Sequence, residues 1–462
     1  MKKQIKAYSA LALTLVMCVT IISCNGCASF AQLREGAEYS DVFSAVYKDI
    51  FGEGSQVYYE LTVSLPQHAN FTPSEYRQGY SSLTTENQRT AYKSMEESIF
   101  QFTNEGGGKL GYFKLKNAKI PRLTSAEIFM VKEAVFADHP EAFWLYSNYS
   151  LSYNFRDGDF ITLYTTCDYN TAVKRVRALE NAVTEYLSLI PSSATEYGRE
   201  KIIHDKLVFD CDYDESAYNA DTAELSDMSP DLSSAYGALV NHKAICGGYN
   251  SAMKLLLRQV GIDCGSVLGK SDGIGHVWNT VKIEGEWYHL DATWNDPIAA
   301  NSEFPFTYNY FNLTTKEISF DHEISGGFDQ LTDEIIKSEK SDENYYNFPL
   351  PECTADTFNF FKKEAVLVSS LNRKGASQIT SKMTESAKEG ELIFYVMFDE
   401  NINPQQAYTW LMGNNSALET AMTDTNKSIK NIGRIEKCSV SYRADSSETI
   451  WANVFGIKIT IK

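Results

Sequence analysis

Apolar and polar positions divide the chain into segments of distinct period. An almost wholly apolar run from Ala7 to Ile22 comes first, behind Lys2, Lys3 and Lys6. Val57 to Val63 alternates with a period of two and predicts a strand. Thr72 to Phe102 carries helical spacing, with Pro73 near its start where helices tolerate proline. Glu105-Gly-Gly-Gly108 breaks that run, and Ser125 to Phe136 predicts a further helix opened by a Ser125 cap. Tyr149–Phe155 and Phe160–Thr166 alternate around Asp157-Gly158-Asp159, a hairpin signal. Thr171 to Ile190 predicts a long amphipathic helix closed by Pro191.

Beyond about Ala194 the pattern changes. After Gly247 and Gly248 the apolar residues recur at helical spacing until Gly261, so Cys246 falls at or near the start of a helix. Val277–Ile283 and Trp287–Ala292 predict a hairpin around Glu284-Gly285. With those two as the turn, Trp278 faces Asp291 and Thr293 faces His276, which puts His276 and Asp291 on one face as diagonal neighbours. Thr332–Asn347 is charged and turn-rich, a linker pattern. The C-terminal part mixes strand-like runs (Ala365–Ser370, Leu392–Phe398, Cys438–Arg443, Trp451–Ile461) with helical ones (Ala376–Lys388, Pro404–Met422). These periods predict an α+β protein organised as 1–23, 24–40, 41–193, 194–330, 331–350 and 351–462.

The first of these segments reads as an address. A positive start, a short apolar core and a small residue before Cys24 are the marks of a secretory signal. A cysteine directly after Ser23 resembles a bacterial lipoprotein box, which implies cleavage before Cys24, lipid on its thiol and a tether from there to residue 40. The expected location is the cell membrane, facing outside the cytoplasm. No other stretch approaches the ~18 uninterrupted apolar residues of a membrane span.

Charge removes one class of partner. The net charge of −18 becomes −21 once a signal carrying three lysines and no acid is lost. Outside its first six residues the chain has no long basic run, so no nucleic-acid partner is expected. Nine cysteines are present, and apart from Cys24 and Cys27 at the mature terminus none form a CxxC pair, which argues against zinc ribbons and redox dithiols. An oxidising exterior leaves a Cys211–Cys264 bridge open among other pairings.

Chemistry concentrates around Cys246. A thiol at a helix N-terminus is favoured as thiolate by free N–H groups and the helix dipole. The same N–H groups can hold an oxyanion, and Gly247 and Gly248 would let a substrate backbone approach. A thiolate nucleophile needs a base and an orienter for that base, which His276 and Asp291 supply if the hairpin brings them together. His289 shares the parity of Asp291 and is a rival base or supporting partner. His204 and His242 read as structural, and Trp278 and Trp294 as core or cleft walls. Asp296 reads as lining the cleft or starting the turn at Pro297.

Three phrases, Ala244-Ile-Cys-Gly-Gly-Tyr249, Gly275-His-Val-Trp-Asn279 and Trp287-Tyr-His-Leu-Asp-Ala-Thr-Trp294, resemble in order and context the transglutaminase-like superfamily. The resemblance covers about Ile202 to Pro297 and implies a papain-like thiol core within an α+β chain. It implies Cys246, His276 and Asp291 as the triad, with Tyr213, Gly247 and Trp278 as oxyanion or cleft candidates. His139-Pro-Glu-Ala-Phe-Trp144 resembles a segment found ahead of such domains in secreted bacterial proteins, with a structural or substrate-positioning role. The reaction implied is acyl transfer on peptide or protein amides, cell-wall peptide among them, to water or to an amine. No cofactor and no metal are expected. The competing expectation is a catalytically silent surface-binding or adhesion lipoprotein.

Overall fold

The computed structural model describes residues 62–64, 71, 75–106, 112–154, 158–218, 229–296, 307–325, 348–441 and 449–462. The signal, the tether, most of the linker at 331–350 and most of the Val57–Val63 run lie outside these residues.

The N-terminal region builds a sheet of six described strands: β1 (Thr62–Ser64), β2 (Gln101–Gly106), β3 (Phe113–Leu115), β4 (Ala118–Ile120), β5 (Leu145–Asn154) and β6 (Gly158–Thr165). β5 and β6 form the expected antiparallel pair, and β3 and β4 follow one another along the other edge of β6. Along Thr72–Phe102 the structure differs from the single helix expected. Two helices, Gln78–Ser82 and Glu86–Ser98, are separated at Leu83–Thr85, and Gln101 already belongs to β2. The reason is local: Thr85 and Gln88 form a capping box that starts a new helix there. Thr124, not Ser125, caps the next helix, through a second capping box with Glu127.

A long helix, Tyr169–Ser188, and another, Glu196–Asp210, lead into the middle of the chain. A short parallel pair, β7 (Asp212–Tyr213) with β8 (Lys243–Ala244), then delivers the chain to the helix Cys246–Gln259. Against that helix lies a four-stranded sheet in the order β11-β10-β9-β12, where β9 is Cys264–Ser271, β10 Ile274–Ile283, β11 Glu286–Leu290 and β12 His322–Ile324. Neither β9 nor β12 stood out as a strand in the sequence. β9 alternates buried and half-buried residues, but glycine or serine fills most of its buried positions (Gly265, Gly269 and Ser271), so the alternation is not written in apolar side chains.

One apolar core, from Phe71 to Phe361 with Trp451 and Val454 added from the C-terminal part, joins the N-terminal region to this sheet and helix. Polar links reinforce the joint. The Gln78 amide reads the β9 backbone in both directions, with Nε2 donating to Ser266 O at 3.0 Å and Oε1 accepting from Ser266 N at 2.8 Å. Arg258 of the Cys246 helix donates to Asp138 O at 2.6 Å. The His139–Trp144 phrase sits at that joint: His139 lies between Glu141 and Glu96, and the Trp144 indole donates to Ile99 O. Its visible work is anchoring.

The C-terminal part has its own core and a sheet ordered β13-β14-β16-β15, with β13 Val366–Val368, β14 Ile393–Phe398, β15 Ile435–Ser441 and β16 Val454–Ile461. The single helix expected over Pro404–Met422 is two, Pro404–Met412 and Ala417–Ser428, because Ser416 and Glu419 form a capping box after a left-handed Asn415. The architecture is α+β throughout.

Candidate active site

Cys246 is the first residue of its helix, half-buried, behind an N-cap residue, Ile245, whose apolar side chain makes no cap hydrogen bond. The thiol therefore sits where the dipole's positive end favours an anion, with no side-chain cap from Ile245 competing for the first N–H groups. The paired glycines serve the chain itself. A Cβ on Gly248 would come within 2.6 Å of Leu232 O and of Ala244 Cβ, and one on Gly247 within 3.1 Å of Ser233 Cβ. Close approach at these positions, expected for a substrate backbone, is made by the Leu232–Ser234 segment. It packs under the helix start and holds the nucleophile in place.

The base comes from β10. The hairpin register is the one expected, from Asn279↔Leu290 to Ile283↔Glu286, with Glu284 and Gly285 at positive φ in the turn. The ladder stops at Asn279↔Leu290, however, so Trp278–Asp291 and His276–Thr293 are not cross-strand partners. Asp291 leaves the strand, its N–H donating to Tyr310 O at 2.9 Å. Its side chain still turns back to His276, whose Nε2 lies 2.6 Å from Oδ2. Oδ1 accepts from the N–H groups of Thr293 at 2.9 Å and Trp294 at 3.1 Å. A carboxylate so satisfied cannot rotate without breaking its own turn.

The other face of His276 meets Cys246, which hydrogen-bonds to it. Asn279 sets that spacing from three residues away. Its amide donates to Asn250 Oδ1 at 2.9 Å and to Gly265 O at 3.1 Å, pinning β10 to the first turns of the Cys246 helix. Burial disfavours a charged His276, but Asp291 and Cys246 outweigh it and lift the imidazole to about 10. Burial likewise pushes the Asp291 carboxyl up, and His276 and His322 more than reverse this, holding it well below the usual carboxylate range.

The remaining candidates separate clearly. Tyr213 pairs with Ala244 in the parallel bridge two residues before the nucleophile, half-buried, and its backbone N–H faces the Asp296 carboxylate. Asp296 also accepts from the Tyr249 hydroxyl, and burial lifts it to about 6. Trp278 needs correction as an oxyanion candidate. It is 1% exposed, stacks on His276 at 5.8 Å, and its indole N–H already donates to His289 Nδ1 at 3.1 Å. His289 needs correction as the rival base: its other nitrogen meets Thr315, and burial first, then His322, lower it to about 3, so it stays neutral. Trp294 walls the site edge-on to His276. His204 is a buried tie between Asp205 and Asn295, and His242 is an exposed turn residue at positive φ. Cys211 and Cys264 are free, and burial pushes both thiols up to about 12, so the bridge left open by the sequence is not formed.

The sequence reading missed His322. From β12 its Nε2 reaches Asp291 Oδ2 at 3.1 Å, and its Nδ1 reaches Asp321 Oδ1 at 2.6 Å. Only the Asp-His pair at 321–322 signalled it, and a lone pair of that kind is weak. His276, Asp291 and His322 place three donor atoms of metal-binding type within 4.8 Å of one another. Two ligands about 2.1 Å from one ion stand about 3 Å apart even at a right angle. The 2.6 Å His276–Asp291 contact is closer and is a hydrogen bond.

The family model of the transglutaminase-like superfamily (Transglut_core) matches residues 188–292. Kyphoscoliosis peptidase of Mus musculus is 33% identical over 96 residues, covering 18% of this chain and 14% of that protein, and the Homo sapiens protein matches equally. The chain thus spans 14% of the length of the curated relatives it matches. A solved structure of a TGase is similar over 40% of this chain and 51% of that one, at 16% identity and a TM-score of 0.25, too low to bear on the assignment. The family match spans the Cys246 helix and the hairpin that carries His276 and Asp291, and residues 188–292 are a domain of the transglutaminase-like superfamily.

Proposed function

We propose that the chain is an extracytoplasmic thiol enzyme that transfers acyl groups from peptide or protein amides through a thioester on Cys246. The observation that carries this reading is the junction of a half-buried thiol at a helix N-terminus with an imidazole held 2.6 Å from a buried carboxylate. Cys246 attacks the amide carbonyl, and the thiol proton resides on His276 Nδ1. His276 then delivers that proton to the leaving amine, and Asp291 fixes the ring and its charge. Water or a second amine releases the acyl group. The curated relatives are named peptidases, which favours water as the acceptor. The superfamily name favours an amine equally well. Cell-wall peptides and envelope proteins are the substrates that an outward-facing anchored enzyme would meet.

The test compares alkylation of Cys246 by iodoacetamide with that of the other cysteines, followed by turnover of a peptide library with a labelled amine present. Cys246 should react fastest at neutral pH, and Cys246→Ala should abolish turnover while leaving the circular dichroism unchanged. Equal reactivity of all thiols without any turnover leaves the binding or adhesion reading standing instead, and full activity in Cys246→Ala would remove Cys246 from the mechanism. The location is tested separately: Cys24→Ala should move the protein from the membrane to the soluble fraction with its activity intact. Among the described residues no helix is long and apolar enough to cross a membrane. Lipid labelling that persists in Cys24→Ala would remove the anchor from that residue.

A further inference from the structure

The buried carboxylate serves two imidazoles. Asp291 Oδ2 accepts from His276 on β10 at 2.6 Å and from His322 on β12 at 3.1 Å. The two strands are separated by β9, and they can cooperate because of what stands between them. His276 and Ile324 both pair with Gly269 of β9, while His322 pairs with Ser271. A Cβ on Gly269 would lie 2.1 Å from Glu323 O and 2.8 Å from the Trp278 ring. With no side chain there, the two imidazoles converge on one carboxylate with ring centroids 5.5 Å apart.

The state of His322 follows from its partners. Its Nε2 faces Asp291 and its Nδ1 faces Asp321 Oδ1 at 2.6 Å, while Asp321 Oδ2 accepts from the Tyr310 hydroxyl at 2.6 Å. Ionised carboxylates only accept, so both ring nitrogens carry protons and the ring is a cation. It is 3% exposed and walled by the rings of Trp278, Trp294 and Tyr310 at 5.0 to 5.3 Å. A paired cation this deep interacts with its neighbours far more strongly than a surface one.

Building on the acyl-transfer reading above, we propose that His322 is a positioning residue that shares the Asp291 charge and thereby limits how tightly His276 holds its proton. Asp291 alone would make His276 a reluctant acid, slow to protonate the leaving amine. A second cation on the same carboxylate oxygen weakens that hold. The groups facing His276 are Cys246, Asp291 and His322; those facing His322 are Asp291, Asp321 and His276, with Tyr310 behind Asp321. His289 lies beyond Trp278 and is kept neutral. Burial opposes the charge on His322, its two carboxylate partners raise it, and His276 lowers it.

The test uses the full-length protein and a peptide amide that it turns over. His322→Gln keeps an amide donor toward Asp291 but removes the charge. The alkaline limb of kcat/KM should then move up by about one pH unit, the scale on which one nearby charge acts. At neutral pH kcat should fall by up to about tenfold, since a more basic His276 is a weaker acid, with KM within about twofold. A merely structural role would lower the folded fraction and leave the limb where it is. Asp321→Asn keeps the ring but removes the partner that demands its second proton, and should move the same limb the same way. An unmoved limb in folded His322→Gln overturns the inference; should that variant fail to fold, an unmoved limb in Asp321→Asn does so. If wild-type Cys246 alkylates no faster than the other thiols, the acyl-transfer reading fails first, independently of His322.

Discussion

Replacing Asp291 by asparagine changes one atom, and the structure shows which atom suffers. Oδ1 must remain an oxygen, because it accepts from the N–H groups of Thr293 and Trp294 at 2.9 and 3.1 Å. The new NH₂ group therefore occupies the Oδ2 position, where it points donors at His276 Nε2 and His322 Nε2. Neither nitrogen can then keep its proton. His276 is driven to the tautomer protonated on Nδ1, the nitrogen that faces Cys246, and can no longer take the thiol proton there. The imidazolium also loses the carboxylate that helps lift it to about 10. That lift of three to four pH units corresponds to at most on the order of 5 kcal/mol favouring the charged ring, and a third of it would suffice to keep His276 charged at pH 7. The expected result is a kcat loss of about 10³- to 10⁴-fold, the size associated with a wrong tautomer in a triad. It should remain milder than Cys246→Ala or His276→Ala. The assay is kcat against pH, paired with iodoacetamide alkylation of Cys246, which should slow at neutral pH. Activity within tenfold of wild type, with an unchanged alkylation profile, would refute the tautomer argument. So would an Asp291→Asn variant worse than both other replacements.

Three further outcomes follow from the same geometry. Gly248→Ala places a methyl 2.6 Å from Leu232 O and Ala244 Cβ, so it should cost about 1–3 kcal/mol in urea unfolding and lower kcat by shifting Cys246; an unperturbed variant would mean that the segment yields freely. Trp278→Phe strips the donor from buried His289 and should lose about 1–3 kcal/mol of stability while keeping kcat within about twofold, whereas a loss of 10²-fold or more would restore the indole as an oxyanion donor. His276 is raised from 6.5 to about 10 on folding, so its stabilisation is complete below pH 6.5 and is lost as pH rises through about 10. Urea midpoints of wild type should fall across that window while those of Asp291→Asn stay flatter, and parallel curves would show that the pair does not form.

What the sequence by itself determined are features made by residues a few positions apart. The start of a helix at Cys246, the turn at Glu284-Gly285 and the hairpin register from Asn279↔Leu290 to Ile283↔Glu286 are local, set by glycine placement and by period, whereas Asp291 lies beyond that ladder and is placed by its bond to Tyr310 O. Two further local signals lie in polar residues and not in the apolar period. The capping boxes at Thr85 and Ser416 split helices that apolar spacing alone reads as continuous, because spacing reports which face is buried and not where the backbone must stop. Other features had no local cause at all. Trp278 and His289 lie eleven positions apart in neighbouring strands and use up each other's polar atoms, so neither was available for the role its position suggested. Gly248 is a glycine because Leu232 runs beneath it. His322 stands 31 positions beyond Asp291 and reaches it only because β12 joins the far edge of a sheet and Gly269 leaves the space open. A hydrogen bond of that kind depends on strand order and on an absent side chain elsewhere, and tertiary packing alone decides both.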